Sequence, residues 1–171
     1  MTISLKTNDD IIADVLRHEG GWVDRTDDRG GPTNRGITLE TYSLWLGRPA
    51  SRDELRAIPE STARDIYLQR YIKAPGLDKI EDVNLRARVV DAAVNHGPPA
   101  AIKMLQEVLG VIVDGRLGPI TLALANDRCP RETCILFLAQ RLRFYGRLMK
   151  TMPQFAEGWM NRMADQLIAE A

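Results

Sequence analysis

The 171-residue sequence predicts a mainly α-helical protein of two lobes with one small β-hairpin near residues 22–37. Three observations lead to this fold class. Apolar residues recur at helical spacing along most of the chain, residues 22–36 are instead rich in Asp, Asn, Gly and Arg, and the pair Pro75-Gly76 interrupts the helices near the middle. With 44% apolar and 27% charged residues, the chain has the composition of a folded globular protein.

The first helix and the hairpin follow from local chemistry. One face of residues 8–18 is apolar and predicts a helix; its members are Ile11, Ile12, Val15 and Leu16. The pair Gly20-Gly21 ends this helix, since glycine readily adopts the backbone conformation that closes a helix. The glycines and short polar side chains of residues 22–36 then favour tight turns and an irregular hairpin.

The remaining helices are delimited by caps, prolines and glycines. Thr38 caps a short helix through Leu46, and Ser51 with Glu54 forms a capping box for the next one. Five further helices are expected: one after Pro59 that carries Ile66, Tyr67 and Tyr71, then 83–96, 99–109, a short one from Pro119, and a long one over 130–150. Pro153 opens a last helix, and residues 111–113 can form at most a strand fragment before the Asp114-Gly115 turn.

Charge and termini exclude several classes of protein. The chain has 23 basic and 23 acidic side chains and a pI near 6.7, whereas nucleic-acid-binding domains are usually strongly basic, so no nucleic-acid partner is expected. The first ten residues lack the apolar run of a secretion signal, and no stretch has the ~20 apolar residues of a membrane span. We therefore expect synthesis in the cytoplasm without a signal peptide.

Few side chains are suited to bind a metal. The chain has two histidines, His18 and His96, and two cysteines, Cys129 and Cys134. Positions five apart lie on different faces of a helix, so we expect the cysteines to be free thiols. We expect no metal and no cofactor, because soft ligands are too few for a zinc site.

Glu19 is the first candidate functional residue. It extends the apolar stripe of the first helix, so its carboxyl is expected to face packed surroundings, and it lies at the helix C-terminus, where the dipole disfavours negative charge. Both effects favour the protonated acid and predict a raised pKa, as a general acid near neutral pH requires. The alternative, which spacing alone favours, is a Glu that points into solvent at the helix end.

Asp28 and Thr33 are the candidate partners of Glu19. Glycosidic bond hydrolysis commonly uses one carboxylic acid and one carboxylate, and a hairpin that returns over the first helix could bring Asp28 and Thr33 opposite Glu19. Gly30 and Gly31 would allow the close approach of a sugar. The alternative is an ordinary polar turn in which Asp28 binds its own backbone.

The same residues resemble the signature of a known family. Glu19-Gly20-Gly21-Trp22, Asp28, Gly30-Gly31, Thr33 and Gly36-Ile37-Thr38 are eleven residues in fixed register over twenty positions, and they look like glycoside hydrolase family 108 N-acetylmuramidases. Their Glu–Asp–Thr spacing is also similar to that of phage-type lysozymes. Further residues resemble the family's C-terminal peptidoglycan-binding region: Asp91, Asn95-His96-Gly97, Leu105-Gln106, Asp114-Gly115, Gly118-Pro119, Thr121, Phe155, Gly158-Trp159 and Arg162.

The resemblance implies a lysozyme-like bilobed fold with a catalytic region at 1–90 and a helical peptidoglycan-binding region at 91–171. It implies that Glu19 is the catalytic acid, that Asp28 stabilises positive charge or activates water, and that Thr33 orients this water. Trp22, beside Glu19, could stack on a sugar. Asn95 could line a cleft with Asp91, although a structural role at its helix end is equally natural.

The implied function is cleavage of the MurNAc–GlcNAc β-1,4 bond of peptidoglycan. Two alternatives remain at this stage: a non-catalytic wall-binding protein that assists secretion or lysis, and a lytic transglycosylase, which has no need of Asp28 and Thr33. The expected partner is the peptidoglycan glycan strand. We expect a monomer that acts in the periplasm or cell wall after release by a holin or a secretion system.

Overall fold

The computed structural model describes residues 7–24 and 31–170, and its packing divides the chain into two units. The first, here called the N-terminal unit, is Thr7–Arg70, and the second, the C-terminal unit, extends from Tyr71. Most of the described residues are helical, and a single two-stranded antiparallel hairpin forms among them. The predicted mainly α class with a small hairpin near residues 22–37 is thereby confirmed.

The N-terminal unit combines four helices with the hairpin. Its elements are α1 (Asn8–His18), β1 (Thr33–Asn34), β2 (Ile37–Thr38), α2 (Leu39–Leu46), α3 (Arg52–Arg56) and α4 (Glu60–Tyr67). The caps expected at Thr38 and Ser51 form: the Thr38 hydroxyl accepts from the Thr41 N–H, and Ser51 and Glu54 make a full capping box. The apolar stripe of α1 packs against α4, and its isoleucines Ile11 and Ile12 are each only 2% exposed.

The hairpin turns through two residues with positive φ. Asn34 pairs with Ile37, and between them Arg35 has φ 51° and Gly36 φ 72°. Positive φ at both central positions is the type I′ geometry, which matches the twist of paired strands. The buried Asn34 side chain donates to the carbonyls of Leu55 (3.1 Å) and Arg56 (2.9 Å), so the hairpin is bonded to the last turn of α3.

The helix predicted after Pro59 changes its winding at Tyr67. Instead of one continuous α-helix, α4 passes into a π-helical turn over Leu68–Lys73. Tyr67 and Ile72 are both buried, although residues five apart lie on different faces of an α-helix. The wider π turn accommodates both, a feature often found near functional sites.

The C-terminal unit is helical throughout its regular elements. It contains a 3₁₀ turn (Leu77–Lys79), α5 (Val83–His96), α6 (Pro98–Leu109), α7 (Pro119–Asp127), α8 (Pro130–Leu148), a second 3₁₀ turn (Pro153–Phe155) and α9 (Ala156–Ile168). Helix α8 packs on α5, α6, α7 and α9 and has buried apolar residues such as Phe137 and Leu138. These units are defined by packing, so the functional regions expected at 1–90 and 91–171 stay a prediction.

A buried glutamine holds the loop between α6 and α7. The Gln106 side-chain N–H₂ donates to Asp114 Oδ1 (2.7 Å) and to the Arg116 carbonyl (2.9 Å). The Gln106 side-chain oxygen Oε1 accepts from the Gly115 N–H (2.8 Å). Residues 111–118 form an irregular loop with no strand. The Asp114-Gly115 motif therefore makes a turn that Gln106 fixes to α6.

Candidate active site

Glu19 is the residue at which the chain leaves α1. Its N–H still donates to the Val15 carbonyl (3.2 Å), but its φ of −80° and ψ of 137° are extended. Helical winding thus ends one residue before the glycine pair, and Glu19 itself is half-buried. The predicted candidate therefore lies at the helix C-terminus with its side chain in partly packed surroundings.

The Glu19 carboxyl lies against the hairpin turn at Gly36. A Cβ built on Gly36 would approach both Glu19 Oε2 and the Tyr67 hydroxyl to under 3.0 Å, closer than real Cβ contacts come. The φ of 72° independently favours glycine. Glycine at position 36 therefore suits the backbone conformation of the turn and also leaves room for the ends of the Glu19 and Tyr67 side chains.

Tyr67 connects this meeting point to the helical core. Its ring is buried at the end of α4 (3% exposed), and its hydroxyl donates to the Arg35 carbonyl at 3.0 Å. Arg35 is the one non-glycine residue with positive φ among those described, so this bond secures a turn that costs about 1–2 kcal/mol of backbone strain. Sequence reasoning treated Tyr67 as a helix residue only; its sole signal was a polar group on an apolar face, which requires a partner when buried.

Thr33 occupies a fixed backbone position beside this turn. Its N–H and carbonyl exchange two 2.8 Å hydrogen bonds with Val23, and it pairs directly with Thr38 across the hairpin. Val23, in the segment after Glu19, thus pairs with Thr33 of β1 along the edge of β1 that is opposite β2. The half-buried Thr33 side chain shares a sheet face with Val23 and Thr38, since directly paired residues point the same way.

Trp22 is directed to a different partner. The Arg56 guanidinium carbon of α3 lies 5.9 Å from its ring centroid, a cation–π distance. Gly31 has a φ of 68° and open space where a Cβ would stand. Asp28 and Gly30 lie outside the described residues.

Asn95 belongs to the C-terminal unit. It is exposed near the end of α5, and its side-chain amide donates to the Asp91 carbonyl one turn earlier at 2.7 Å. The Asp91 carboxylate is the centre of a charged cluster: it accepts from Arg141, from Arg162 (3.2 Å) and from Gln166 (2.7 Å). This cluster ties α5 to α8 and α9.

Electrostatics keep this cluster charged and its neighbour His96 neutral. Burial alone would raise the pKa of Asp91, but the charges of Arg141 and Arg162 outweigh it and hold the pKa below its usual value. Burial, aided by the Arg141 charge, lowers the pKa of His96 to about 4. The His96 ring packs against the rings of Phe144 and Tyr145, with ring centroids 4.7 Å and 5.1 Å away.

Three further features of residues 7–24 and 31–170 concern metal ligands, thiols and membrane helices. Within those ranges no three His, Cys, Asp or Glu side chains gather as a metal site would require. Cys129 is an exposed free thiol, and burial raises the pKa of the free Cys134 thiol to about 12. Across the same described ranges, every helix is too short or too polar to span a bilayer.

Comparisons with known proteins agree with the fold and identify the family. Residues 12–97 match the family model of glycosyl hydrolase 108, and residues 100–164 match a model described as "Predicted Peptidoglycan domain". A solved structure of Brucella abortus SagA superposes with a TM-score of 0.81 at 33% sequence identity, covering 95% of this chain and 92% of that one. A search of curated proteins finds no match.

The family match includes every element of the site. It begins within α1, contains Glu19, the hairpin and Tyr67, and continues through α5, while the second match covers α6 to most of α9. The two matches together support a glycoside hydrolase that acts on peptidoglycan. The chain belongs to the glycosyl hydrolase 108 family and is a peptidoglycan hydrolase with a peptidoglycan domain.

Proposed function

We propose that this hydrolase is an N-acetylmuramidase that cleaves the MurNAc–GlcNAc β-1,4 bond, with Glu19 as the general acid. The observation that carries the proposal is the Glu19 carboxyl at the Gly36 turn, where a single side-chain atom on Gly36 would collide with it. A carboxyl so confined by backbone and by Tyr67 is pre-positioned, and pre-positioning is what proton transfer to a leaving oxygen needs.

The chemistry assigns a role to each partner. Glu19 donates its proton to the glycosidic oxygen as the C–O bond breaks and positive charge develops on the sugar ring. Thr33 orients a water for attack at the anomeric carbon, and Asp28 stabilises the positive charge or accepts the proton of this water. The likeness of the Glu–Asp–Thr spacing to phage-type lysozymes favours inversion of the anomeric configuration.

Tyr67 is proposed as a positioning residue. Its hydroxyl bonds the Arg35 carbonyl and lies, with Glu19 Oε2, within the space that a Gly36 side chain would fill. It thereby fixes the turn that forms one wall of the carboxyl site. Glu19, Asp28 and Thr33, and not Tyr67, are proposed to act on the sugar and the attacking water.

Digestion of purified peptidoglycan tests the proposal. Wild type should release fragments with reducing MurNAc ends by mass spectrometry, and Glu19→Gln should lose at least about 100-fold of the rate, since an amide cannot donate the proton. Glu40→Gln, an exposed Glu in the first turn of α2, is the matched control and should digest like wild type.

Each other outcome of the digestion would contradict one part of the proposed function. Equal activity of Glu19→Gln would remove Glu19 as the acid, and 1,6-anhydro ends would show a lytic transglycosylase. Folded wild type that binds the wall without cutting it would show a wall-binding protein. Asp28→Asn and Thr33→Val, with reaction products followed by NMR of the anomeric proton, test the partner roles and the inversion.

The cellular setting is also a proposal. We propose that the protein reaches the periplasm or cell wall through a holin or a secretion system and works there as a monomer. Its activity on an external wall is expected to depend on that release, so intact producing cells should show no wall damage until a holin or secretion system is active. Wall damage without either would contradict this setting.

A further inference from the structure

One face at the start of α9 combines two aromatic residues, a glycine and an arginine. Phe155, Gly158, Trp159 and Arg162 are spaced as i, i+3, i+4 and i+7, which places them on the same side of a helix. Phe155 precedes α9 but already has helical backbone angles (φ −99°, ψ −2°), so it continues this face. The four residues are here called the α9 face.

The aromatic part of the α9 face is anchored in the core. Trp159 stacks on the fully buried Tyr145 with ring centroids 5.0 Å apart and an interplanar angle of 21°. Phe155 lies 5.7 Å from the Trp159 ring and is 51% exposed. The stack therefore runs from the interior to the surface and presents its outer ring on a rigid base.

Gly158 leaves the space beside these rings empty. A Cβ at Gly158 would meet no atom within 4 Å, and its φ is not positive, so neither packing nor backbone conformation requires glycine. Glycine is also a poor helix former. Because Gly158 lies beside the aromatic rings, its missing side chain allows a ligand on those rings to approach the helix backbone closely.

Arg162 supplies a fixed polar group at the end of the face. Its Nη1 donates to Asp91 at 3.2 Å, and its side chain keeps 24% of its exposure. Asp91 is held in turn by Arg141, which is fully buried. A guanidinium has five N–H donors, and the hydrogen bond to Asp91 is donated by Nη1 alone, so the anchored side chain has further donors for a ligand.

We propose that the α9 face of the C-terminal unit binds the glycan strand of peptidoglycan. Carbohydrate binding suits this mixture, because the C–H faces of a sugar pack on aromatic rings while hydroxyl and N-acetyl groups need hydrogen-bond donors nearby. The face lies within the region that matches the peptidoglycan domain. The inference relies on the proposed function only for the identity of the glycan.

Binding without turnover tests the face directly. The full chain with Glu19→Gln is mixed with insoluble peptidoglycan, and the bound fraction is measured after centrifugation. Adding Gly158→Ala should weaken binding about fivefold while the Tm stays equal or rises by about 2–4 °C, since alanine favours helices. Phe155→Ala should weaken binding at least as much.

The chain contains a matched control for each change. Gly146 lies inside α8, also with open space where a Cβ would stand, so Gly146→Ala should raise Tm without affecting binding. Ile168→Ala removes a 73% exposed apolar side chain from the other end of α9 and controls for Phe155→Ala. A purely structural role of Gly158 predicts the same binding for both glycine variants.

Competition identifies the ligand. A GlcNAc tetramer should displace the protein from the wall, and a stem pentapeptide should not. Unchanged binding by Gly158→Ala and Phe155→Ala, or displacement by the peptide alone, would overturn the inference. Failure of the muramidase proposal has a separate sign, because wild type would then release no reducing MurNAc ends even if the α9 face binds the wall.

Discussion

Replacing Gly36 with alanine is the sharpest test of the Glu19 site. The first effect is on the backbone: a non-glycine residue at φ 72° costs about 1–2 kcal/mol. Domains are usually stable by about 5–15 kcal/mol, so the variant should fold with a lower Tm. Backbone strain by itself leaves the Glu19 carboxyl where it is.

The second effect acts on the carboxyl. The new Cβ would lie under 3.0 Å from Glu19 Oε2 and from the Tyr67 hydroxyl, whereas ordinary contacts begin near 3.4 Å. The Tyr67 ring is buried and its hydroxyl bonds the Arg35 carbonyl, so the new Cβ is expected to displace the half-buried Glu19 side chain rather than Tyr67. A displacement near 1 Å in a reacting group can reduce the rate about 100-fold, and we expect that loss in kcat with little change in KM.

Gly47→Ala separates the two effects. Gly47 ends α2 at φ 67°, and a Cβ there would meet nothing within 4 Å, so this variant carries the strain without the collision. Peptidoglycan turbidity loss gives kcat and KM, and thermal unfolding gives Tm. Both variants should lose comparable stability, but only Gly36→Ala should lose turnover. A folded Gly36→Ala with kcat within twofold of wild type would refute the confined-carboxyl reasoning.

Three further changes test the supports of the site and the core. Tyr67→Phe keeps the ring but removes the hydroxyl that donates to the Arg35 carbonyl. We expect the free energy of unfolding to fall by about 0.5–1.5 kcal/mol and kcat to fall about tenfold. An unaltered kcat would contradict the positioning role of Tyr67. Asn34→Ala deprives two carbonyls of α3 of their donor and should cost about 1–3 kcal/mol in urea unfolding, which a conserved midpoint would contradict. The pKa of His96 is about 4 when folded and about 6.5 when unfolded, so the unfolded chain binds more protons between these pH values. Stability should therefore fall as pH drops from 6.5 towards 4, by no more than about 3 kcal/mol because solvent screens the partly exposed ring, and His96→Gln should flatten this slope.

Local signals were sufficient to predict most of the helices. Thr38, Ser51 and the apolar stripe of α1 act within a few residues of themselves, so their effects can be predicted without knowing the tertiary fold. The π turn after Tyr67 was not predictable in this way. It accompanies the burial of both Tyr67 and Ile72, which depends on packing partners that are distant in sequence.

The part of the site that lies in one continuous motif could be predicted from the sequence, and the part contributed by distant residues could not. Glu19 and Thr33 lie within one short segment, whose density of glycine and polar residues marks it as unusual. Tyr67 comes 34 positions after Thr33 and reaches the site through the tertiary packing of α4 on α1. The pairing of Val23 with Thr33 and the contact of Trp22 with Arg56 likewise depend on tertiary packing, which no local pattern specifies.

Gly36 and Gly158 differ in what surrounds the position of a missing side chain. At Gly36 the missing side chain is explained from inside, because Glu19 and Tyr67 occupy its place; at Gly158 nothing inside the molecule does so. Substitution should therefore have crossed effects. Gly36→Ala should lose turnover and still bind the wall, while Gly158→Ala should bind the wall poorly and still cleave short soluble glycans that engage only the Glu19 site. Loss of both properties in either variant would mean that binding and cleavage depend on one shared surface.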